Sequence, residues 1–209
     1  MEPYYIPTAA GESEYTEKRS TLLGHVRPVE TEDEARAFIA AMKKQYHDAR
    51  HNCWCYLIHG GAERYSDDGE PQGSAGIPML EVFRREGVTN AVCVVTRYFG
   101  GILLGTGGLL RAYTKSAKDA LAAAGVSAVR RWVCADVQCS YALLERVKNA
   151  AAALSGSLDG LDYGADVTLH LLLPEEAVET FEAQLRDLSA GAANAVVTGE
   201  AMKAVPVED

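Results

Sequence analysis

The stretch Asn90–Arg111, NAVCVVTRYFGGILLGTGGLLR, is the part of this 209-residue sequence that most strongly indicates a fold. It opens with an apolar, β-branched run of the length and composition of a buried strand. Five glycines follow within nine residues, and apolar side chains then recur at helical spacing as far as Gly125, a typical helix C-cap. The stretch therefore predicts a strand, a glycine-rich loop and the start of a helix, in that order.

This order of elements favours the binding of an anionic group. The first turn of a helix presents unpaired backbone N–H groups and the positive end of the helix dipole. The flanking guanidinium groups can pair with a phosphate. The alternative is that the glycines only permit a tight turn and close packing. The predicted ligand-binding residues are Arg97, Tyr98, Gly100, Gly101, Gly105, Thr106, Gly107, Gly108 and Arg111.

Composition and charge restrict the class of protein. The formal net charge is −9, and it divides into −2 for residues 1–129 and −7 for residues 130–209. An acidic second half argues against indiscriminate wrapping of nucleic acid, although the first half can still carry a local basic patch. The sequence shows no signal peptide and no apolar run of about 20 residues. With an odd number of cysteines, it predicts a cytoplasmic protein with reduced thiols and no membrane association.

A second informative stretch, residues 64–76, reads RYSDDGEPQGSAG and has almost no apolar content, so it predicts a loop. Asp67, Asp68 and Glu70 can bind a cation, position a water, or serve as acid and base. They can equally belong to an exposed turn with local hydrogen bonds. His51 is the nearest candidate base for Ser66 or Ser74, but such a pair requires geometry. The sequence predicts no metal and no cofactor.

The remainder of the first half contains weaker signals. Residues 1–12 are predicted to be a weakly ordered lead-in, and residues 14–29 one or two strands. Thr31 and Glu34 form a capping-box pattern before a helix with an apolar face. The run from His51 to Ile58 predicts a strand, with Cys53 and Cys55 on one face and Trp54 and Tyr56 on the other.

The second half predicts a different architecture. A strand from Trp132 to Cys139, a helix capped by Ser140, two strands about a turn at Gly164, a helix from Pro174 and a last strand give the order βαββαβ. That order is typical of a ferredoxin-like domain, in which two helices cover one face of a four-stranded antiparallel sheet. The other face is left open, and His170 on its third strand is interpreted as structural.

Three sequence blocks together carry a resemblance to a known family. HNCWCY, SDDGEPQGSAGIPML and NAVCVVTRYFGGILLGTGGLLRAY, with their spacing, resemble the IMPACT/YigZ family over nearly the whole chain. The resemblance implies an α+β protein. Residues 1–129 would be similar to the second domain of a small-subunit ribosomal protein, and residues 130–209 to the last domain of elongation factor G. One departure is visible, because Thr21 and Leu22 stand where bacterial members commonly carry a basic and an aromatic residue.

Two functional hypotheses follow. The family's eukaryotic relatives are linked to translational control, and both domain resemblances imply the translation machinery. The first hypothesis is a non-catalytic regulator that binds RNA, the ribosome or a translation factor through the glycine loop. The alternative is a hydrolase or transferase acting on a phosphorylated or acyl small molecule, with Asp67, Asp68, Glu70 and His51 as candidate catalytic residues. The sequence leaves the oligomeric state open.

Overall fold

The computed structural model describes residues 3–207, and in this range the chain is an α+β protein. The chain forms two compact units, one built on Tyr4–Ala128 and the other on Val129–Lys203. The mixed helices and strands confirm the predicted fold class, and each unit is described by itself below.

The first unit is organised around a five-stranded antiparallel sheet. Its strands are β2 (Gly11–Glu17), β3 (Ser20–Pro28), β4 (His51–Leu57), β5 (Glu63–Ser66) and β6 (Ala91–Tyr98), in the spatial order β2-β3-β6-β4-β5. A short strand, β1 (Tyr4–Pro7), precedes them. The helices are α1 (Glu32–Gln45), α2 (Gly76–Arg85) and α3 (Thr106–Ala124). The predicted strand, glycine loop and helix thus correspond to β6, residues 99–105 and α3.

Helices cover both faces of this sheet. On one face α2 and α3 pack against a large apolar cluster that includes Cys53 and Cys55. On the other face α1 packs against a smaller cluster that includes Trp54 and Tyr56. The predicted alternation of β4 is therefore confirmed. Because β6 lies at the centre of the sheet, both faces of that strand are buried, which explains its uninterrupted apolar run.

The hairpin that joins β2 to β3 turns through only two residues. Glu17 pairs with Ser20, and the two residues between them, Lys18 and Arg19, have φ angles of 46° and 66°. Positive φ at both central positions is the conformation of a type I′ turn, which ordinarily favours Asn and Gly. This turn contacts the loop that follows β6, because Gly100 donates its N–H to the Ser20 hydroxyl at 3.3 Å.

Three predictions for the first unit need correction. The lead-in forms strand β1, and β2 already begins at Gly11; residues 1 and 2 lie outside the described range. Residues 64–66, which were predicted to belong to a loop, lie in strand β5 and pair with β4. The capping box is half formed. Thr31 Oγ1 accepts the Glu34 N–H at 3.2 Å, whereas the Glu34 carboxylate accepts the N–H of Glu30 at 2.7 Å.

The second unit has the predicted βαββαβ order. Its elements are β7 (Val126–Cys139), α4 (Leu144–Ala153), β8 (Ser157–Tyr163), β9 (Val167–Pro174), α5 (Val178–Ser189) and β10 (Ala195–Pro206). The first three residues of β7 and the last three of β10 belong to the first unit. The pairings of β10 with β7, β7 with β9 and β9 with β8 are those of a ferredoxin-like sheet, and β1 also pairs with β7. Helices α4 and α5 share one apolar cluster with this sheet. Ser140 does not cap α4. Its carbonyl accepts the N–H of Leu143 in a turn, and the helix begins after that turn.

His170 is held by two carboxylates on the neighbouring strands of this sheet. Its Nδ1 lies 2.7 Å from Asp136 on β7, and its Nε2 lies 3.1 Å from Asp162 on β8. The hydrogen bonds with Asp136 and Asp162 raise the pKa of the imidazole above its ordinary value. The arrangement is consistent with a structural role.

Candidate functional site

A cleft of about 380 Å³ lies in the first unit, where β6 ends and α3 begins. Its polar lining combines two arginines, an imidazole, a carboxylate and the first residues of α3: Arg50, His51, Arg97, Glu70, Gly105 and Thr106. Its apolar lining includes Phe99, Leu103, Leu104 and Leu109. The glycine loop, the acidic stretch and the start of β4 therefore meet at one place.

Gly105 and Thr106 at the start of α3 line this cleft, and the first turn of the helix carries unpaired backbone donors. Gly105 precedes the helix with a φ of 71°, a conformation that glycine adopts without strain, and its carbonyl accepts the first intrahelical bond from Leu109. Within residues 3–207, the N–H groups of Thr106, Gly107 and Gly108 donate no hydrogen bond to another residue. Such donors, at the positive end of the helix dipole, favour a negatively charged group.

The floor of the cleft is a buried polar network centred on Glu70. Its Oε1 accepts a hydrogen bond from Arg97 Nε at 2.5 Å and another from the Tyr113 hydroxyl at 2.9 Å. His51 Nε2 lies 4.0 Å from the same oxygen. Burial alone lowers the pKa of Arg97, but the hydrogen bond and charge of Glu70 raise it above its ordinary value. Arg97 is therefore a charged floor residue that is already paired.

The two aspartates of the acidic stretch accept hydrogen bonds from backbone N–H groups. Asp67 Oδ1 accepts the N–H groups of Ala75 and Gly76 at 3.0 and 2.8 Å, and its Oδ2 accepts that of Gly73 at 2.8 Å. Asp68 binds the N–H of Asn52 at 2.7 Å and pairs with Lys43. Because each carboxylate bonds different groups, the three acids do not converge. In the described part of the chain no group of three or more His, Cys, Asp or Glu side chains can hold a metal ion.

The candidate base and nucleophiles do not form a reactive pair. His51 Nδ1 lies 2.9 Å from the carbonyl oxygen of Asp68. The Ser66 hydroxyl accepts the N–H of Asp68, and the Ser74 hydroxyl donates to the carbonyl of Pro71. The Cys53 thiol donates to the Asp67 carbonyl at 2.9 Å, and burial raises its pKa, which suppresses the thiolate.

The predicted ligand-binding residues divide into two groups. Arg97, Gly105 and Thr106 line the cleft. Gly100 instead allows a close approach, because a Cβ there would lie 2.0 Å from the backbone of Arg19. Arg111 is exposed, with its Nη1 3.8 Å from the position that a Cβ on Gly107 would take. The other predicted positions, Tyr98, Gly101, Gly107 and Gly108, do not line the cleft.

Sequence patterns did not identify two residues of the site. Arg50 precedes β4 outside any motif, and it reaches the cleft because the next residue, His51, pairs with Arg97 across the sheet. The helical spacing of α3 predicts only an apolar role for Tyr113, whereas its hydroxyl donates a hydrogen bond to Glu70. Burial raises the pKa of the Tyr113 hydroxyl, and the neighbouring Cys53 and Glu70 raise it further, so the hydroxyl stays protonated.

Comparison with known proteins places this architecture in a family. The profile of the Impact N-terminal domain matches residues 18–121, and that of the domain of unknown function DUF1949 matches residues 137–192. YvyE of Bacillus subtilis, an IMPACT family member, is 35% identical over 193 residues, which cover 91% of this chain and 89% of YvyE. The chain belongs to the IMPACT family. The resemblance carried by the three sequence blocks is thereby confirmed.

Further relatives support the same assignment along the chain. The IMPACT family member YigZ of Escherichia coli is 36% identical over 198 residues, covering 91% of this chain and 96% of YigZ. A crystal structure described as that of a hypothetical protein matches 95% of this chain and 98% of its own, with a TM-score of 0.60 and 32% identity. Within residues 3–207, no helix is both long enough and apolar enough to span a membrane.

Proposed function

We propose that this IMPACT family chain is a non-catalytic, cytoplasmic regulator associated with translation that holds a phosphate group of RNA in the cleft at the head of α3. The observation that carries the proposal is the set of groups around the cleft. Arg50, Arg97 and the unpaired amide of Thr106 line the cleft together with a single carboxylate, Glu70, whose Oε1 is already hydrogen-bonded. A phosphate on the ribosome, or on an RNA held by a translation factor, offers the same chemistry.

The charge balance of the cleft supports an anionic ligand. The Arg97–Glu70 pair is neutral as a unit, and Arg50 adds a positive charge that forms no ion pair within residues 3–207. The head of α3 adds a partial positive charge. This local excess occurs in a chain whose net charge is −9, so the cleft differs in sign from the molecule as a whole. Its volume of about 380 Å³ lies in the range of small-ligand pockets.

The hydrogen bonding of the candidate catalytic residues supports binding over turnover. Asp67 and Asp68 are engaged with backbone N–H groups, and Glu70 is engaged with Arg97. None of them is paired with a nucleophile within the described residues. The family resemblance implies a first domain similar to a ribosomal-protein domain and a second similar to the last domain of elongation factor G, and this implication supports a role in translation.

Filter binding of RNA at increasing salt concentration tests the proposal. We expect affinity to fall as salt rises, because phosphate contacts release counterions. Arg50→Ala should weaken binding by about 1.5–3 kcal/mol, the range for a hydrogen bond to a charged group. Arg84→Ala is the matched control, because Arg84 is also exposed but pairs with Glu63 and Glu81 on a different surface.

Two results would contradict the proposal. The first is an absence of RNA affinity at low salt. The second is turnover of a phosphorylated or acyl substrate that Asp68→Asn abolishes without unfolding the protein, which would favour the hydrolase or transferase alternative.

A further inference from the structure

We infer that the RNA bound by this protein is single-stranded, and that its unpaired bases stack on an exposed apolar surface beside the cleft. This inference rests on the proposed function, because it assumes that the cleft holds a phosphate of RNA. It adds the strand state of the ligand and a second contact surface. We define the apolar rim as Phe99, Ile102 and Leu103.

The apolar rim is exposed to an unusual degree. The exposed fraction is 82% for Leu103, 44% for Phe99 and 43% for Ile102. Leu103 is the most exposed large hydrophobic residue in the described part of the chain. Its neighbour Leu104 is buried in the main core, so the loop is anchored rather than detached. Clustered exposed apolar side chains mark interaction surfaces more often than isolated ones do.

Basic side chains surround the apolar rim. Lys18 and Arg19 form the turn that contacts Gly100 of the same loop. Arg50 lines the cleft together with Phe99 and Leu103. All of these cations are exposed, and none forms an ion pair within residues 3–207.

Arg111 completes this basic border. It lies over the first turn of α3, and it is also exposed and forms no ion pair within the described range. The carboxylate among the residues that line the adjoining cleft, Glu70, is already paired with Arg97. The four unpaired cations therefore give this surface a positive charge.

A ligand that suits this surface carries anionic groups and flat apolar faces close together. Single-stranded RNA has that chemistry, because each phosphate is followed by a base whose face is free to stack. In a duplex the base faces are stacked on one another, so the apolar rim would gain nothing from them. The Arg97 guanidinium lies over one face of the Phe99 ring, 5.7 Å from the centroid, and the ring is 44% exposed, so a base would stack on its other face.

The test measures the fluorescence anisotropy of a labelled single-stranded RNA and of the duplex of the same sequence, with the full chain. We expect the single strand to bind more tightly. Leu103→Ser and Phe99→Ala should each weaken single-strand binding by roughly tenfold, within the range for loss of one stacked base. Duplex binding should not change. Phe99→Tyr should bind single strands as tightly as the unchanged protein, because it keeps an aromatic face.

Val197→Ser is the matched control, since Val197 is an exposed apolar residue of the second unit. Leu103 is exposed, so its variant should fold, and an unchanged melting temperature verifies this. Equal binding of single strands and duplex, unaffected by Leu103→Ser but weakened by Arg50→Ala, overturns this inference and leaves the proposed function intact. An absence of RNA binding at low salt overturns both. Binding to anionic phosphatidylglycerol vesicles that Leu103→Ser abolishes, without preference for single strands, also overturns the inference.

Discussion

The Nε of Arg97 donates a hydrogen bond to the Glu70 carboxylate, and both side chains are more than nine-tenths buried. The same carboxylate accepts the Tyr113 hydroxyl, so one oxygen joins the acidic stretch, strand β6 and helix α3. Removing one partner of a buried ion pair leaves the other charge without compensation. The buried network at the floor of the cleft therefore also stabilises the packing of these three elements in the first unit.

Glu70→Gln should lower the free energy of unfolding by about 3–5 kcal/mol, the range for a broken buried ion pair. It should also strengthen anion binding, because the charge of Arg97 would no longer be opposed. Urea denaturation and RNA anisotropy measure the two effects. Glu63→Gln is the control, because its pair with Arg84 is exposed and should contribute about 0–1 kcal/mol. A loss of stability below about 1 kcal/mol for Glu70→Gln would disagree with this account.

Asp67→Asn should destabilise the protein by about 1–3 kcal/mol without changing RNA affinity. The carboxylate accepts three backbone N–H groups, and an amide group can replace it only in part because its NH₂ faces donors. Asp33→Asn is the control, since Asp33 is almost fully exposed. If Asp67→Asn lost RNA affinity at unchanged stability, Asp67 would be a ligand contact and not a loop support.

Gly100→Ala should destabilise the hairpin–loop contact by about 1–3 kcal/mol, the usual range for overpacking. The added Cβ would meet the backbone of Arg19, which cannot rotate away as a flexible side chain can. Gly199→Ala provides the comparison, because a Cβ at Gly199 meets no atom within 4 Å. Thermal melting of both variants measures the difference. Equal stability of the two variants would show that the turn at Arg19 yields easily.

The stability of the second unit should fall as pH rises, in part because of His170. Hydrogen bonds with Asp136 and Asp162 raise its pKa, so the folded state holds the proton more tightly than the unfolded state. This stabilisation is fully present below the unfolded pKa of about 6.5, and it is lost as pH rises through the raised pKa. Urea denaturation between about pH 5 and pH 9 measures the slope. His170→Asn should flatten the slope, and Asp136→Asn should reduce it; an unchanged slope in both would contradict this assignment.

The elements that could be predicted are those whose signals are local. The β-branched run of β6, the glycines after it and the spacing in α3 lie within one continuous stretch. The Glu70–Arg97 contact could not be predicted, because it depends on how the acidic loop folds against a strand 27 positions later. Arg50 was missed for the same reason, since only the register of β4 against β6 brings it to the cleft.

Two further predictions differ from the structure because tertiary contacts outweigh the local preferences of the residues. Strand β1 has only four residues and ends in Pro7, so no alternating pattern was visible. Ser140 is a favourable N-cap type, but its carbonyl closes a turn with Leu143 and the helix begins later. In both places tertiary geometry, not residue preference, decided the outcome.

The hairpin turn at Lys18 and Arg19 has an evolutionary consequence. Both residues adopt left-handed backbone angles that Asn followed by Gly would adopt with less strain. Selection for thermal robustness alone would therefore favour replacing them. Two cations in such an unfavourable conformation are expected if their positive charges contribute to RNA binding. A variant with Asn-Gly at these positions should therefore melt at a higher temperature but bind RNA less tightly.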